Sequence, residues 1–407
     1  MLLIFARALG DKLFGSSSVI RTSREDAQAP TSIFFYMFAL TLVLLWRPNL
    51  DLGFLLTPTY LMLILVFPLL LIRRRVSLYR FDASLFLCYF FLLLTSSYAP
   101  DPSTSVKFFL GVGVFLGMYF CFKLSLHSVQ PARALSAFEK VGKIYFISAL
   151  LFYLLGLLSY GDWQEHQLYY GLMVERAIPR LVAFGFDPNM SAMTLIPFFF
   201  YFMLSKNNYF WLSLGLFLIL ATMSRGAILS MMVGLTCLAV LRPNKASIRA
   251  IGVALLLVVF GFIGMVVFDL LPVRYFEQRL AGIASGSGRV EIWSNALEMF
   301  LARPVVGWGG FSFRDVNQLL FNDFHFAHNT YLEVLVESGL VGFVIFCSFV
   351  FFMLRRAIQL SANPLLLFVL PALFSFAVSM FFISVYINQI LVLYLSLLNF
   401  SWAGEDA

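Results

Sequence analysis

The sequence contains little charge and little cysteine. Asp, Glu, Lys and Arg together make up 12% of the 407 residues, whereas soluble domains carry about 25%, so a water-soluble domain is excluded. No two cysteines form a CxxC pair, which argues against a disulfide framework or a cysteine-held metal. The sequence also lacks an Asp-x-Asp pair and a P-loop, so nothing in it predicts a bound nucleotide or a metal-held nucleotide diphosphate. The four cysteines lie singly inside apolar runs: Cys88, Cys121, Cys237 and Cys347.

Long apolar runs dominate what is present, since 61% of the residues are hydrophobic. A membrane span needs about 20 apolar residues, and the runs predict an all-α polytopic membrane protein with about twelve transmembrane helices. The final run, 364–400, is too long for one helix to cross a bilayer, and we expect a bend near Ile383–Tyr386. The predicted spans are 32–46, 52–72, 84–98, 106–122, 144–160, 190–204, 208–223, 227–241, 250–268, 339–354, 364–381 and 384–400.

Basic residues predict the orientation of these spans. If the N-terminus is cytoplasmic, the inner segments hold 18 of the 28 Lys and Arg residues, as the positive-inside rule expects. The net charge of +7 is then an orientation signal and not a nucleic-acid footprint. This topology gives cytoplasmic tails at 1–31 and 401–407, helices one to nine in 32–268, a long outer loop at 269–338, and helices ten to twelve in 339–400.

The basic residues assigned to the outer face are almost all arginine. Nine of the ten are Arg, whose planar fork of N–H donors suits phosphate better than the ammonium of lysine does. The outer face therefore predicts an anionic ligand. For any single Arg the alternative is a side chain that snorkels to the membrane surface or pairs with a loop acid.

Two outer connections carry candidate residues. The loop at 161–189 combines aromatic rings with Arg180 and ends in Asp187-Pro-Asn189, which we expect to be a turn and helix N-cap. Its rings are suited to stacking on sugars, but they are equally typical of an interfacial aromatic belt. Ser224-Arg225-Gly226 lies between two apolar runs. This predicts a tight hairpin that presents Arg225, with a snorkelling arginine as the alternative.

The long outer loop contains a third candidate. Gly286-Ser-Gly-Arg289 precedes a segment with apolar residues at 290, 292, 293, 296, 297, 300 and 301, which is helical spacing. The segment is too short and polar to span, so we expect a helix lying along the membrane surface. A glycine-rich turn before a helix N-terminus favours anions, and Arg289 strengthens that prediction. A flexible linker is the alternative for the glycines.

The fourth candidate is His325-Phe-Ala-His328, followed by Glu333 and Glu337. If the helix includes residue 328, then His328, Tyr331 and Leu332 share one face, and the two glutamates share another. A general base is one role for His328, and a capping residue at a buried helix start is the alternative. A metal site is disfavoured because no third ligand lies at a recognisable spacing.

Together these motifs resemble a known family. Arg289, Trp293, Pro304-x-x-Gly307-x-Gly309 and then His328-Asn329-x-Tyr331-Leu332, with Glu337-x-Gly339-x-x-Gly342, resemble the O-antigen ligase and polymerase superfamily of bacterial envelope proteins. Asp187-Pro-Asn189 and Ser224-Arg225-Gly226 also fit its pattern. The motifs cover about 185–345.

The resemblance implies an inner-membrane glycosyltransferase with a periplasmic site in the 269–338 loop. Such ligases move O-antigen from undecaprenyl diphosphate to lipid A–core oligosaccharide, with inversion and without a metal, nucleotide or other cofactor. It implies that Arg225 and Arg289 hold the diphosphate and that His328 orients or deprotonates the acceptor hydroxyl. Arg180 and Asn189 would have donor-binding or structural roles. The partners implied are the lipid-linked glycan, lipid A–core and membrane lipid.

Other activities stay open. An O-antigen polymerase or a protein O-oligosaccharyltransferase would use the same lipid-linked donor. A transporter of lipid-linked glycan also suits twelve spans, but transporter sites usually lie at the membrane midplane. Here the polar residues concentrate at one surface.

Overall fold

The computed structural model describes scattered positions within 36–56 and then residues 78–126, 129–159, 164–175, 178–185, 187–205, 208–243, 248, 252 and 289–400. The two predicted tails lie outside the described residues, as do most of the predicted spans 32–46, 52–72 and 250–268. The start of span 52–72 departs from prediction, because Leu55–Leu56 form a short strand, β2, paired antiparallel with β1 at Leu50–Asp51.

Helices make up most of the described chain. In chain order they are α1 (Arg80–Ser96), α2 (Pro102–Leu126), α3 (Pro131–Leu158), α4 (Pro188–Leu204), α5 (Tyr209–Ala221), α6 (Arg225–Leu241), α7 (Arg289–Ala302), α8 (Phe313–Phe321), α9 (Thr330–Leu360), α10 (Val369–Ser379) and α11 (Gln389–Leu397). A 3-10 turn at Pro364–Leu366 precedes α10.

The sequence explains where several of these helices begin. Proline stands at the first position of α2, α3 and α4, where its missing N–H costs no helical hydrogen bond. Asparagine or another short polar side chain caps the N-terminus of four helices by accepting backbone N–H bonds. The capping residues are Asp187, Ser224, Asn329 and Asn388.

The helical class predicted from composition is confirmed, and several described helices are apolar enough for a membrane protein. Among the described helices, α2, α3 and α9 are long and apolar enough to cross a membrane, and α4, α5, α6 and the segment Pro364–Ser379 are shorter apolar helices. The count of twelve spans stays a prediction. The predicted bend near Ile383–Tyr386 falls inside the segment 380–388, which is not helical and separates α10 from α11.

A small sheet occupies the connection at 161–189, where the sequence predicts a loop. Strands β3 (Leu168–Tyr169), β4 (Leu172–Glu175) and β5 (Ile178–Leu181) form an antiparallel meander in the order β3-β4-β5. In β4 buried residues alternate with half-buried ones, as expected for a strand with one packed face. The sheet packs against α3 and leads into α4.

Helix α9 is broken at Gly339, and an earlier loop fills the break. The N–H groups of Leu340 and Val341 would ordinarily donate to the carbonyls of residues 336 and 337. Instead, they donate to Pro304 and Val305 over 2.8 and 3.3 Å. The two vacated carbonyls accept from the N–H groups of residues 308 and 309 over 3.0 and 2.8 Å. Segment 304–309 therefore completes the backbone hydrogen bonds that the kink removes from α9.

The buried carboxylate of Glu337 strengthens this junction. One oxygen accepts the N–H of Phe313 at 3.1 Å, and the other accepts the N–H of Phe311 at 2.9 Å and the hydroxyl of Tyr386 at 2.6 Å. A buried carboxylate is tolerated when its lone pairs are satisfied in this way. Glu337 thus joins α9 both to the start of α8 and to the 380–388 segment.

Replacing Gly339 with alanine should weaken the fold. Its φ of +62° and ψ of −167° belong to a region open almost only to glycine, and an added Cβ would lie 2.3 Å from the carbonyl oxygen of Val305. We expect Gly339→Ala to cost on the order of 3 kcal/mol, seen as a lower melting temperature of the purified protein. Gly113→Ala is the control, because that site has no atom within 4 Å of the new Cβ. Equal stability of the two variants would contradict the account of the kink.

Replacing Glu337 with glutamine should also lower stability. The amide keeps one acceptor oxygen but turns an N–H group towards the donors at 311, 313 and 386, so at least one buried donor loses its partner. The expected cost is about 1–3 kcal/mol for each donor left unsatisfied. Thermal unfolding in detergent measures it. Glu298→Gln removes the same charge from an exposed site on α7 and should leave the melting temperature unchanged.

Candidate functional site

His328 lies just before α9 and not within it. Its φ of +48° is left-handed, and Asn329 caps the helix by accepting the N–H groups of Tyr331 and Leu332 at 3.1 and 3.2 Å. The prediction that His328 shares a helical face with Tyr331 and Leu332 is therefore wrong. The reason is that Asn329 ends the preceding loop as an N-cap, and the helix begins at Thr330. The side chain of His328 is partly exposed.

The 380–388 segment fixes the start of α9. The N–H of Thr330 donates to the carbonyl of Met380 at 2.7 Å, and its hydroxyl donates to the carbonyl of Ile383 at 2.6 Å. One turn further along α9, the buried carboxylate of Glu333 accepts the hydroxyl of Ser384 at 2.6 Å. Glu333 and Glu337 follow His328 and lie on α9, and both carboxylates are buried. Glu333 bonds to Ser384 and Glu337 bonds to Tyr386 of the 380–388 segment.

The predicted hairpin at Ser224-Arg225-Gly226 is present. Helix α5 ends at Ala221 and α6 begins at Arg225, with the hydroxyl of Ser224 accepting the N–H of Ala227 at 3.2 Å. A Cβ added to Gly226 would lie 2.9 Å from the side chain of Phe382, so glycine allows α6 to approach the 380–388 segment closely. Arg225 is exposed at the first position of α6. The same segment therefore contacts both the Arg225 turn and the base of the His328 turn.

Arg180 is buried and holds the sheet to that hairpin. Its Nε donates to the carbonyl of Thr222 at 2.9 Å, and its guanidinium pairs with Glu175 across the β4–β5 hairpin. A third, longer bond of 3.5 Å reaches Oδ1 of Asn189, which also accepts the hydroxyl of Ser224 at 2.8 Å. Arg180 and Asn189 thus tie together the sheet, α4 and α6.

The predicted N-cap at Asp187 is confirmed. Its Oδ1 accepts the N–H groups of Asn189 and Met190 at 2.7 and 3.0 Å, which sets the first turn of α4. This cap holds Asn189 where it meets Arg180 and Ser224.

Arg289 is the first residue of α7, where the sequence predicts a helix N-terminus. Burial lowers the pKa of its guanidinium, the charges of Asp187 and Glu175 raise it, and those of Arg225 and Arg180 lower it. Arg180, Arg225, Asp187 and Glu175 therefore lie within electrostatic range of Arg289. Guanidinium groups stay protonated despite such shifts, so the site concentrates positive charge.

His328 belongs to the same cluster. Although part of the side chain is exposed, desolvation by nearby protein lowers the pKa of its imidazole, and the charge of Arg289 lowers it further, whereas Asp187 raises it. A histidine whose pKa is lowered is neutral at neutral pH and can accept a proton. We call the group of Arg180, Arg225, Arg289 and His328 the cationic site. The arrangement can hold an anion beside a neutral base.

Sequence reasoning missed the two carboxylates of this site. Asp187 was predicted only as a cap, although its charge acts on both Arg289 and His328. Glu175 lies on β4, and since the sheet was not predicted, no signal pointed to its pairing with Arg180. The positions of the five predicted residues, including Asn189, are now known, while their chemical roles remain predictions.

Comparison with known proteins identifies the domain that contains much of this site. Residues 209–347, about a third of the chain, match the family model described as O-antigen ligase. A search of curated proteins gives no match. The matched range includes Arg225, Arg289, the Gly339 kink and His328. This match confirms the resemblance drawn from the motifs, since residues 209–347 are similar to the O-antigen ligase family.

Proposed function

We propose that this protein is an O-antigen ligase of the bacterial inner membrane. It transfers O-antigen polysaccharide from undecaprenyl diphosphate to lipid A–core oligosaccharide on the periplasmic face, with inversion at the anomeric carbon. The observation that supports the proposal is that the charges of Arg180 and Arg225 act on Arg289, which in turn acts on His328, although these residues belong to different elements of the fold. The match of residues 209–347 to the O-antigen ligase family supports a reaction of the O-antigen ligase or polymerase type.

The arginines serve the leaving group in this proposal. Breaking the glycosidic bond leaves negative charge on the lipid diphosphate, and positioned cations stabilise that charge best where water is limited. Arg225 is exposed and Arg289 half-buried, so both side chains can reach a ligand. Arg180 is engaged with Glu175, Thr222 and Asn189. We therefore assign Arg225 and Arg289 to the diphosphate and Arg180 and Asn189 to positioning the Arg225 turn.

His328 serves the acceptor in this proposal. Its neutral imidazole takes the proton of the acceptor hydroxyl as that oxygen attacks the anomeric carbon, and the electrons of the broken bond remain on the diphosphate. Arg289 has two effects here, since it neutralises the leaving group and lowers the pKa of the base. No metal or nucleotide is needed, because the diphosphate linkage already supplies an activated donor.

An O-antigen polymerase would use the same donor and the same cationic site. It differs only in the acceptor, which is then a second lipid-linked glycan in place of lipid A–core. A protein O-oligosaccharyltransferase or a glycan transporter has no specific support from the contacts described above.

A transfer assay with purified protein tests the proposal. The protein is mixed with undecaprenyl-diphosphate glycan and lipid A–core in the presence of a chelator, and products are separated on a gel. We expect lipid A–core to shift to higher mass. Arg225→Gln and Arg289→Gln should each reduce transfer roughly 10²-fold or more, and His328→Gln about 10²–10⁴-fold.

The control for these variants is Arg133→Gln, which removes an exposed charge at the start of α3 and should keep full transfer. Lengthening of the donor glycan without a shift of lipid A–core would instead identify a polymerase. Undiminished transfer by His328→Gln would overturn the assignment of the base.

The pH dependence of His328 provides a separate test. Because its pKa is lowered, the imidazole should stay neutral at neutral pH and take up a proton only below the usual value of about 6.5. Arg289→Gln removes one lowering influence, so the midpoint should move to higher pH. The readout is NMR of carbon-13-labelled histidine, and His328→Gln assigns the signal among the four histidines.

Arg303→Gln is the matched control for this titration. It removes an equal charge one residue past the end of α7, about 20 Å from Arg289 along the helix axis. The midpoint should stay unchanged, because the charge of Arg303 is not among those that shift the pKa of His328. Equal midpoints in the Arg289→Gln and unmodified proteins would show that the two side chains are not coupled.

A further inference from the structure

The surface of α7 is divided into three sectors. Successive residues of an α-helix are rotated by about 100°, so its buried residues fall on one side. Ala296 and Met299 are buried and, with three half-buried neighbours, pack into a small core against α8, α9 and residue 327. The half-buried neighbours are Ile292, Trp293 and Phe300. The predicted apolar face is therefore only partly buried, and a different set of apolar residues stays outside.

Those outer apolar residues form a narrow line, which we call the α7 stripe: Val290, Leu297 and Leu301. Their exposed fractions are 65%, 52% and 73%, and their directions lie within about 40° of one another on the helix. The exposed polar residues Ser294 and Glu298 lie to one side of the stripe. Around its axis, α7 therefore has one sector packed against the rest of the protein, one of exposed apolar residues and one of exposed polar residues.

The α7 stripe continues onto a helix long enough to cross a membrane. The turn after α7 exposes Val305 and Val306, and the backbone of this turn is bonded to the kink of α9. Immediately beyond the kink, α9 exposes Leu340, Val341 and Val344. An exposed apolar surface on a membrane-crossing helix contacts lipid. Because the α7 stripe continues into this surface of α9, we expect lipid to contact the α7 stripe as well.

The end of α7 has features typical of a membrane interface. Arg303 stacks on the ring of Trp308 at 4.0 Å, and Nε1 of that ring donates to the carbonyl of Met299 at 2.8 Å. Tryptophan and arginine with an apolar body and a polar tip favour the level of the lipid headgroups. The polar sector of α7 is consistent with that depth, because Ser294 and Glu298 would face water.

We propose that α7 lies in the headgroup region of the outer leaflet and inserts the α7 stripe among the acyl chains. The occupant of the stripe is bilayer lipid and not a partner protein or a second copy of this chain. One consequence rests on the proposed function: Arg289, at the start of α7, is held at the depth of a lipid diphosphate. The lipid contact itself does not depend on that function.

Spin labels at neighbouring positions test the proposal. Leu297→Cys and Glu298→Cys are made in a full-length chain whose four native cysteines are replaced by alanine, and each is labelled in nanodiscs of phosphatidylethanolamine and phosphatidylglycerol. Residues 297 and 298 differ by about 100° in direction, so they share a position along the helix axis but not a sector. We expect the ratio of oxygen to nickel-chelate collisions to be several-fold higher at 297 than at 298.

Two outcomes overturn the proposal. Frequent nickel collisions at 297 would place the stripe in water, and rare collisions with both reagents would place it in a protein interface. Leu301→Cys, at the other end of the stripe, provides the same reading if a label at 297 prevents folding. The measurement uses no substrate, so it can fail while the transferase assay succeeds, and the reverse is equally visible.

Discussion

The broken helix at Gly339 is the constraint on which the candidate site depends. Two helical hydrogen bonds are missing there, and four bonds to segment 304–309 replace them. That segment follows α7, which begins with Arg289, while the broken helix begins two residues after His328. The kink therefore links the two strongest candidates for catalysis through backbone bonds alone. Side-chain changes on the surface of α7 would leave this link in place.

The buried glutamates extend the same constraint to the rest of the membrane region. Glu337 bonds to residues 311, 313 and 386, and Glu333 bonds to Ser384. The start of α9 bonds to Met380 and Ile383. Between these two residues, the side chain of Phe382 packs close to Gly226, which is next to Arg225. Residues more than 150 positions apart in the sequence are held together in this way. The pieces of the site thus rest on one non-helical segment between α10 and α11.

Much of the helical architecture could be predicted because it follows from local chemistry. Apolar runs indicate most of the described helices, and proline, Asp187 and Ser224 mark where four of them begin. The start of α9 at Thr330 was missed, because Asn329 was not considered as a cap and the helical pattern was extended back to His328. The three-stranded sheet was missed for a related reason: its strands are four residues or shorter and are too brief to show a clear period of two.

The candidate site was only partly predictable. Arginine enrichment and glycine-rich turns indicated Arg225 and Arg289, since these signals are local. The contacts that hold these two arginines in place could not be predicted, because they join elements that are far apart in the sequence. Glu337 was noted for its spacing from Glu333, yet nothing local shows that it accepts N–H groups from residues 311 and 313. Likewise, the burial of Arg180 depends on Glu175 and Thr222, which only the folded chain brings to it.

The left-handed backbone at His328 separates stability from activity. A non-glycine residue in that region costs roughly 1 kcal/mol relative to glycine. The chain therefore has a histidine at a position where glycine would have the lower conformational energy. His328→Gly should then be slightly more stable than the unmodified protein, and on the proposed function it would lose the base. Such opposite changes are the signature of a residue kept for chemistry at the expense of folding. A search for stabilising glycine substitutions at the left-handed residues of the described chain would therefore include this histidine.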